Sequence, residues 1–115
     1  MLKAMRYMTN YKFGDVVLVA FPFTNLTKAK KRPALVLLDS KDDDIITCRI
    51  TSQICNSKYD ITISNWTHCG LLSPSWIRLH KIATIQKNKI DKTLGNLTVT
   101  DLIFVKQTIN KLIIE

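Results

Sequence analysis

The residues best suited to chemistry in this sequence are cations and hydroxyl side chains that stand where apolar runs begin or end. Four cations fall within five positions, and the last of them, Arg32, precedes Pro33 and an apolar run. A guanidinium whose freedom is limited in this way can grip a phosphate with two hydrogen bonds. A solvated loop is the simpler interpretation of the same cluster, and the residues alone leave both open. The candidates are Lys28, Lys30, Lys31 and Arg32, then Arg49, Thr51 and Ser52, then Arg78 and His80.

The sequence contains no pattern typical of a metal site or a nucleotide-binding loop. The two histidines, His68 and His80, are far apart, and the three cysteines are scattered without a CxxC pair. The Asp42–Asp44 run lacks the alternating oxygen ligands of a calcium loop and is interpreted as a solvated turn. No GxSxG elbow, P-loop or GxGxxG motif occurs. We therefore expect no metal and no cofactor.

Two aromatic side chains stand near the basic residues and could stack on nucleic-acid bases. Phe23 follows the first apolar run, and Trp76 precedes Arg78 in the segment SWIRLH. Stacking on a base contributes roughly 1–3 kcal/mol where it occurs. The same side chains could equally serve a core or an interface, so both interpretations stay open.

Short apolar runs separated by turn residues predict a mainly β domain. The runs Val16–Phe21 and Ala34–Leu38 have the Val and Leu content of strands buried on both faces. In the fifth predicted strand, which begins at Ser75, alternation of side chains would put Arg78 and His80 on one face, with roughly 7 Å between their Cα atoms. The remaining predicted strands are Ile45–Thr51, Tyr59–Ile63 and Ser75–Leu79, with a continuation at Ile82–Ile85 after a bend and a short strand around Asp91–Leu97.

The C-terminal segment predicts one amphipathic helix that lies on the sheet. Thr98 with Asp101 three positions later resembles a capping box, with Asp in place of the usual Glu or Gln. Strands first and a helix last, without βαβ alternation, indicate an α+β or small-barrel domain. The predicted apolar stripe is Leu102, Val105, Ile109 and Leu112, and the polar positions between its members are Asp101, Lys106, Asn110 and Lys111.

The chain has 115 residues and a formal net charge of +8, from 17 Lys and Arg against 9 Asp and Glu. This length predicts one domain, residues 13–115, after a loosely specified N-terminal arm, residues 1–12. The positive excess indicates a polyanionic partner. The absence of a long apolar run and the odd number of cysteines favour a cytoplasmic protein with no membrane contact. Lys87, Lys89 and Lys92 are interpreted as charges that solubilise the chain or steer a partner.

Five segments together resemble the MazF/PemK family of bacterial toxin endoribonucleases. In chain order they are FGDVVLVAFPF, KKRPALVLL, RITS, GLLSPSWIRLHKIATI and LGNLT, the last of these just before the predicted helix. The resemblance extends over nearly the whole chain, from Phe13 to Leu112. Any one of these segments alone would be a weak signal, whereas GDV followed by RPALVL and then ITS at these distances is specific.

The resemblance implies a small SH3-like or plasmid-maintenance-toxin barrel with a C-terminal helix, assembled as a homodimer. It also implies the toxin of a type II toxin–antitoxin pair, inhibited by an acidic antitoxin, that arrests growth by cleaving mRNA. Cleavage in this family acts on single-stranded RNA, is sequence-selective and metal-independent, and leaves 2′,3′-cyclic phosphate and 5′-hydroxyl ends.

Matching motifs assign roles to individual positions in this sequence. Arg32 of the RP motif and Thr51 of the ITS motif correspond to the catalytic pair of the family, with Ser52 beside them. The family pattern SW(V/I)RLD commonly ends in an aspartate, and His80 stands at that position as an expected acid or base. The residues expected to bind substrate are Arg78, Lys28, Lys30, Lys31, Arg49, Phe23 and Trp76.

Two other classes of function fit the same sequence. One is a non-catalytic RNA- or DNA-binding barrel of the same fold, which the histidine at an acid position keeps open. The other is an interaction protein that binds only an acidic partner such as an antitoxin tail.

Overall fold

The predicted strands form one six-stranded antiparallel sheet in the computed structural model of this chain, which describes residues 10–21 and 30–114. The strand order is β4-β5-β3-β2-β1-β6. The predictions for Phe23, Lys28 and residues 1–9 of the arm concern residues outside these ranges. The elements are β1 Asp15–Phe21, β2 Lys30–Asp39, β3 Asp44–Thr51, β4 Asp60–Thr62, β5 Trp76–Gln86, a 3-10 turn Lys87–Lys89, β6 Ile90–Asn96 and helix α1 Val99–Ile114.

Strand β2 is longer than its apolar run predicts. It begins at Lys30 rather than Ala34, and Val19 of β1 pairs with Arg32. Lys30, Lys31 and Arg32 therefore belong to a strand, and their placement at the end of a loop was wrong. An apolar run reveals only the buried part of a strand, whereas backbone hydrogen bonding to β1 extends it through charged residues.

Strand β5 joins two predicted segments across a β-bulge. Arg78 lies opposite Arg49 of β3, but the next pair along the ladder joins Ile82 to Cys48. The residues between Arg78 and Ile82 therefore have no partners on β3. The bulge lies after Arg78 on the side of β5 that faces β3, while Ile77 and Leu79 are both buried in one apolar cluster, so the alternation of side chains continues at least as far as Leu79.

The two faces of the sheet carry separate apolar clusters. Helix α1 covers the face that contributes Leu35, Ile77 and Leu79, against which Val105 is fully buried. The opposite face holds a smaller cluster with Val19 and Ala34 among its members. This arrangement confirms the predicted α+β class, mainly β with a C-terminal helix.

The sheet is not closed into a complete barrel by strand pairing within the described residues. Its edge strands are β4 and β6, and the loop after β4 contacts β6 instead. Gly70 of that loop has φ +77°, and a Cβ there would collide with the carbonyl oxygen of Leu94. The Cys69 thiol donates to the Asn96 carbonyl at 3.3 Å. Loop packing thus links the two edges of the sheet.

Asp101 is buried rather than on the polar side of the helix, which corrects the prediction. The Thr98 hydroxyl accepts a hydrogen bond from the Asp101 N–H at 3.3 Å, as a capping box requires. The Asp101 carboxylate, however, accepts the N–H and the hydroxyl of Ser64, both at 3.0 Å. With 2% of its surface exposed, Asp101 ties the start of α1 to the loop after β4. No helix of the described chain is long and apolar enough to cross a membrane.

Candidate functional site

Strand register brings most of the predicted site residues onto one face of the sheet. Directly opposite residues in antiparallel strands share a face, and the ladder aligns Asp60, Arg78 and Arg49 in one row across β4, β5 and β3. The neighbouring row on the same face contains Thr62, Trp76 and Thr51. This is the face opposite helix α1.

Arg32 and Thr51 lie at the same end of the antiparallel strands β2 and β3. The pairing of β2 with β3 ends at Ala34 and Arg49, one residue short of Pro33, which has no N–H to donate. Arg32 lies two residues before Ala34, and Thr51 lies two residues after Arg49. Arg32 pairs with Val19 of β1 and Thr51 pairs with Trp76 of β5, and each lies two residues beyond the last pair that joins β2 to β3. The predicted catalytic pair therefore lies at one end of the sheet.

Exposure differs among the predicted residues of this face. The side chain of Arg49 is exposed, whereas Arg32, Thr51 and Trp76 are half-buried. A half-buried guanidinium loses less freedom when it binds a phosphate than an exposed one does. Arg32 and Thr51 are thus more fixed than Arg49, which suits them to orient a group while Arg49 attracts it.

The hydroxyl groups at the end of β3 lie where the chain leaves the sheet. The Thr51 hydroxyl oxygen accepts a hydrogen bond from the Gln53 N–H at 3.1 Å, which closes the turn after the strand. The oxygen therefore keeps its own proton for donation to an anion. Ser52 is exposed beside it.

The remaining predicted lysines are on the surface. Lys31 forms an ion pair with Asp91 of β6, with 3.3 Å between Nζ and Oδ2, and its side chain is 53% exposed. Lys30 is also exposed, at the start of β2. Exposed pairs of this kind contribute little to stability, so Lys31 can exchange its partner for a phosphate at small cost.

Asp60 is a site residue that sequence reasoning missed. Its Oδ1 accepts the Nε–H of Arg78 at 3.0 Å, and its Oδ2 accepts the Ser57 N–H at 2.9 Å. The carboxylate is 1% exposed and Arg78 is 28% exposed. Burial raises the pKa of Asp60, but hydrogen bonds from Arg78 and Ser57 outweigh it and leave the pKa below its ordinary value. Only the pairing of β4 with β5 could have revealed this contact.

His80 packs beside Tyr59. Its ring is 5.5 Å from the ring of Tyr59, at an angle of 43°. The Nδ1 atom is buried and has no hydrogen-bond partner. Within the described residues, no hydrogen bond joins His80 to Arg78 or to Thr51. Nε2 is therefore the ring atom with which His80 could meet a substrate.

Arginine side chains outnumber the carboxylates aligned with them on this face of the sheet. Arg32, Arg49 and Arg78 share one face, and Asp60 is the carboxylate aligned with them. Among residues 10–21 and 30–114, no three histidine, cysteine or carboxylate side chains cluster closely enough to hold a metal ion. The arrangement can bind a phosphodiester, orient it through a hydroxyl and offset negative charge that develops on it.

Comparison with known protein families shows which family this chain belongs to. Residues 12–113 match the family described as the PemK-like, MazF-like toxin of type II toxin-antitoxin systems. The chain belongs to this family. No curated protein gives a significant match to this MazF-like toxin in sequence.

Solved structures share the fold of this MazF-like toxin at low sequence identity. An endoribonuclease in complex with its cognate antitoxin, from a mycobacterial species, has a TM-score of 0.74 at 13% identity, covering 89% of this chain and 93% of that one. The MazE-MazF complex from Deinococcus radiodurans, in its form II, has a TM-score of 0.71 at 19% identity, covering 90% and 96%. The Mycobacterium tuberculosis toxin MazF-mt6 has a TM-score of 0.65 at 17% identity, covering 83% and 93%. At these identities the likeness establishes the fold.

Proposed function

We propose that this MazF-like toxin is an endoribonuclease that cleaves single-stranded RNA, including mRNA, in the cytoplasm without a metal ion. The observation that carries the proposal is the placement of Arg32 and Thr51 at the same end of β2 and β3, on a face that also carries Arg49 and Arg78. Two of the neighbouring structures are described as endoribonucleases, which supports the same activity.

The proposed reaction is an internal transesterification. The 2′-oxygen forms a bond to its own phosphorus and gives up its proton, while the bond from phosphorus to the 5′-oxygen breaks and that oxygen gains a proton. The products are a 2′,3′-cyclic phosphate and a 5′-hydroxyl. This chemistry needs a proton acceptor, a proton donor and positive charge beside the phosphorane, and all three can come from side chains.

Each predicted site residue has a role in this reaction. Arg32 offsets the charge on the phosphorane, and Thr51 donates a hydrogen bond to a nonbridging oxygen, with Ser52 beside it. His80 is the proposed acid or base, through Nε2. Arg78 binds the phosphate, Trp76 stacks on a base, and Lys30, Lys31 and Arg49 attract the RNA backbone. Lys28 and Phe23 keep their predicted binding roles, although both lie outside the described residues.

Cleavage should persist when every divalent cation is removed. We expect purified protein to cut a long transcript at the same rate in excess EDTA as in Mg²⁺, because the reaction uses side chains in place of a metal ion. Mass spectrometry of the fragments should find cyclic phosphate and 5′-hydroxyl ends. Loss of cleavage in EDTA, with recovery on adding Mg²⁺, would contradict the metal-free mechanism.

The non-catalytic alternative makes the opposite prediction in the same assay. A binding protein of this fold would retain RNA with a steep dependence on salt and leave it intact for hours at high protein concentration. The absence of a carboxylate at position 80 favours this alternative, whereas the placement of Arg32 and Thr51 at the same end of β2 and β3 favours catalysis.

An acidic antitoxin is the proposed protein partner. The net charge of +8 and the arginine-bearing face favour a negatively charged segment that folds over the RNA path. Two of the solved neighbours carry antitoxin in their descriptions, as a complex with a cognate antitoxin and as MazE-MazF.

A homodimer is the proposed assembly, and half-exposed apolar side chains on the helix side of the sheet support it. Leu38 is 52% exposed, Ile82 50% and Phe104 51%. We expect Ile82→Lys to shift the protein from dimer to monomer in light scattering, because a buried cation at an interface is costly. An unchanged molar mass in the variant would place the interface elsewhere, and a monomeric wild type would contradict the assembly.

A further inference from the structure

Arg78 lies in a cross-strand row of side chains in which like charges would repel each other without a counter-charge. It lies directly opposite Arg49 on β3, and like charges in that position destabilise a strand pair. Asp60 occupies the other side of Arg78 in the same row. Its carboxylate accepts the Arg78 Nε–H at 3.0 Å with 1% of the side chain exposed. The charge that holds Arg78 in place therefore comes from β4.

The second oxygen of Asp60 holds the loop that follows the catalytic threonine. Oδ2 accepts the Ser57 N–H at 2.9 Å, and the Asp60 N–H donates to the Ser57 carbonyl at 3.1 Å. The Ser57 hydroxyl in turn accepts the Tyr59 N–H at 3.2 Å. One buried carboxylate thus fixes both a guanidinium on β5 and the loop that leads from Thr51 to β4.

Position 80, where the family pattern commonly ends in an aspartate, does not supply the counter-charge for Arg78 in this protein. His80 occupies that position, its ring lies against Tyr59, and its buried Nδ1 has no partner. Within the described residues, the carboxylate in contact with Arg78 is Asp60.

We propose that Asp60 is the positioning residue that aims the Arg78 guanidinium at the RNA phosphate, so that the carboxylate partner of this arginine is supplied by β4 instead of by position 80. The inference rests on the proposed endoribonuclease function. Asp60 does not touch the RNA, because its side chain is covered and both of its oxygens are engaged. It acts on the reaction through Arg78, and an amide at position 60 keeps one oxygen to accept the Ser57 N–H, so that Asp60→Asn tests the contact with Arg78 rather than the loop.

Kinetics of Asp60→Asn test this role. We expect kcat to fall about 30-fold to 100-fold, with KM changed less than about threefold, because a misaimed contact is lost mainly in the transition state. Asp43→Asn is the matched control, since it removes the same charge from an exposed turn at the far end of β3. In a background of Arg78→Gln, Asp60→Asn should cost nothing further. Equal kcat in the Asp60 and Asp43 variants, or losses that simply multiply in the double variant, would overturn the proposal.

A measurement on the wild-type protein guards against a variant that fails to fold. In ¹⁵N-labelled protein, the Arg78 Nε–H should exchange with water more than about tenfold more slowly than the Arg49 Nε–H. Arg49 is exposed and makes no side-chain hydrogen bond within the described residues, so it is an internal reference. Equal exchange rates would overturn the positioning. If wild-type protein leaves RNA intact while the Arg78 proton is protected, the endoribonuclease proposal fails and the contact between Asp60 and Arg78 stands.

Discussion

Arg32→Ala should lower kcat/KM for RNA cleavage by about 10³-fold, and Thr51→Ala by about 10²-fold. Loss of one group that stabilises developing charge in a transition state typically has effects of this size. The effect of Arg32 is the larger because its guanidinium is an ionised donor, whereas the Thr51 hydroxyl is neutral. Both residues are half-buried at the same end of β2 and β3, unlike the exposed lysines Lys30 and Lys31. Single-turnover cleavage of a long transcript measures both values.

Controls separate catalysis from general attraction of RNA. Lys92→Ala removes a cation from the exposed strand β6 and should change kcat/KM less than about threefold at moderate salt. Binding of the uncleaved transcript should weaken by less than about tenfold in Arg32→Ala, because the other cations remain. Arg32→Ala that cleaves as fast as Lys92→Ala would remove Arg32 from the mechanism and favour a different site.

The same assay decides the role of His80. If its Nε2 transfers a proton, His80→Asn lowers kcat and removes the limb of the pH–rate profile that reports its titration. An unchanged profile would leave His80 as a packing partner of Tyr59.

Asp39→Asn should lower the free energy of unfolding by about 2–3 kcal/mol. Asp39 pairs with Lys87, with 3.0 Å between Oδ1 and Nζ, and the two side chains are 2% and 6% exposed. Its carboxylate also accepts the N–H groups of Tyr11 and Lys41, both at 2.8 Å. Removing the charge takes the carboxylate at 3.0 Å away from the buried Lys87 ammonium, and removing one partner is the costly way to break such a pair. Urea denaturation followed by tryptophan fluorescence measures the change.

The pH dependence of this stability has a definite sign. Burial raises the pKa of Asp39, but hydrogen bonds from Tyr11, Lys41 and Lys87 outweigh it, so the folded pKa lies below its ordinary value. A lowered pKa contributes stability that is complete above the unfolded value of about 3.9 and is lost as the pH falls below it. The wild type should therefore lose stability more steeply than Asp39→Asn between about pH 4 and pH 2. Parallel curves for the two proteins would show that Asp39 is not coupled to folding.

This ion pair also corrects an interpretation made from the sequence. Lys87 was grouped with Lys89 and Lys92 as a solubilising or steering charge, yet it is 7% exposed and paired with Asp39. Its N–H donates to the Asp43 carbonyl at 2.8 Å, which fixes the turn between β5 and β6 to the turn between β2 and β3. A lysine in a polar segment is predicted to be exposed, because its ion-pair partner is far away in the sequence and only the fold reveals it.

The sequence by itself determined the kinds of element and the residues that carry the chemistry. Apolar and alternating segments marked where the strands lie but not their full extent, and the Thr98 cap and the apolar spacing located the helix, because burial of alternate or periodic side chains leaves a local pattern. The motifs around Arg32 and Thr51 pointed to the family that the comparison of residues 12–113 established. These signals are local, so the sequence alone contains them.

Tertiary structure alone decided which side chains meet. The contacts of Asp60 with Arg78, Lys87 with Asp39, and Asp101 with Ser64 join residues 18, 48 and 37 positions apart. Strand register and loop packing create such pairs, and neither has a signature in the hydrophobic pattern. The bulge in β5, which leaves the residues between Arg78 and Ile82 without partners on β3, also has no local signature in the sequence. The sequence identifies the charged groups, but only the fold decides which of them form ion pairs and which remain available to bind an anion.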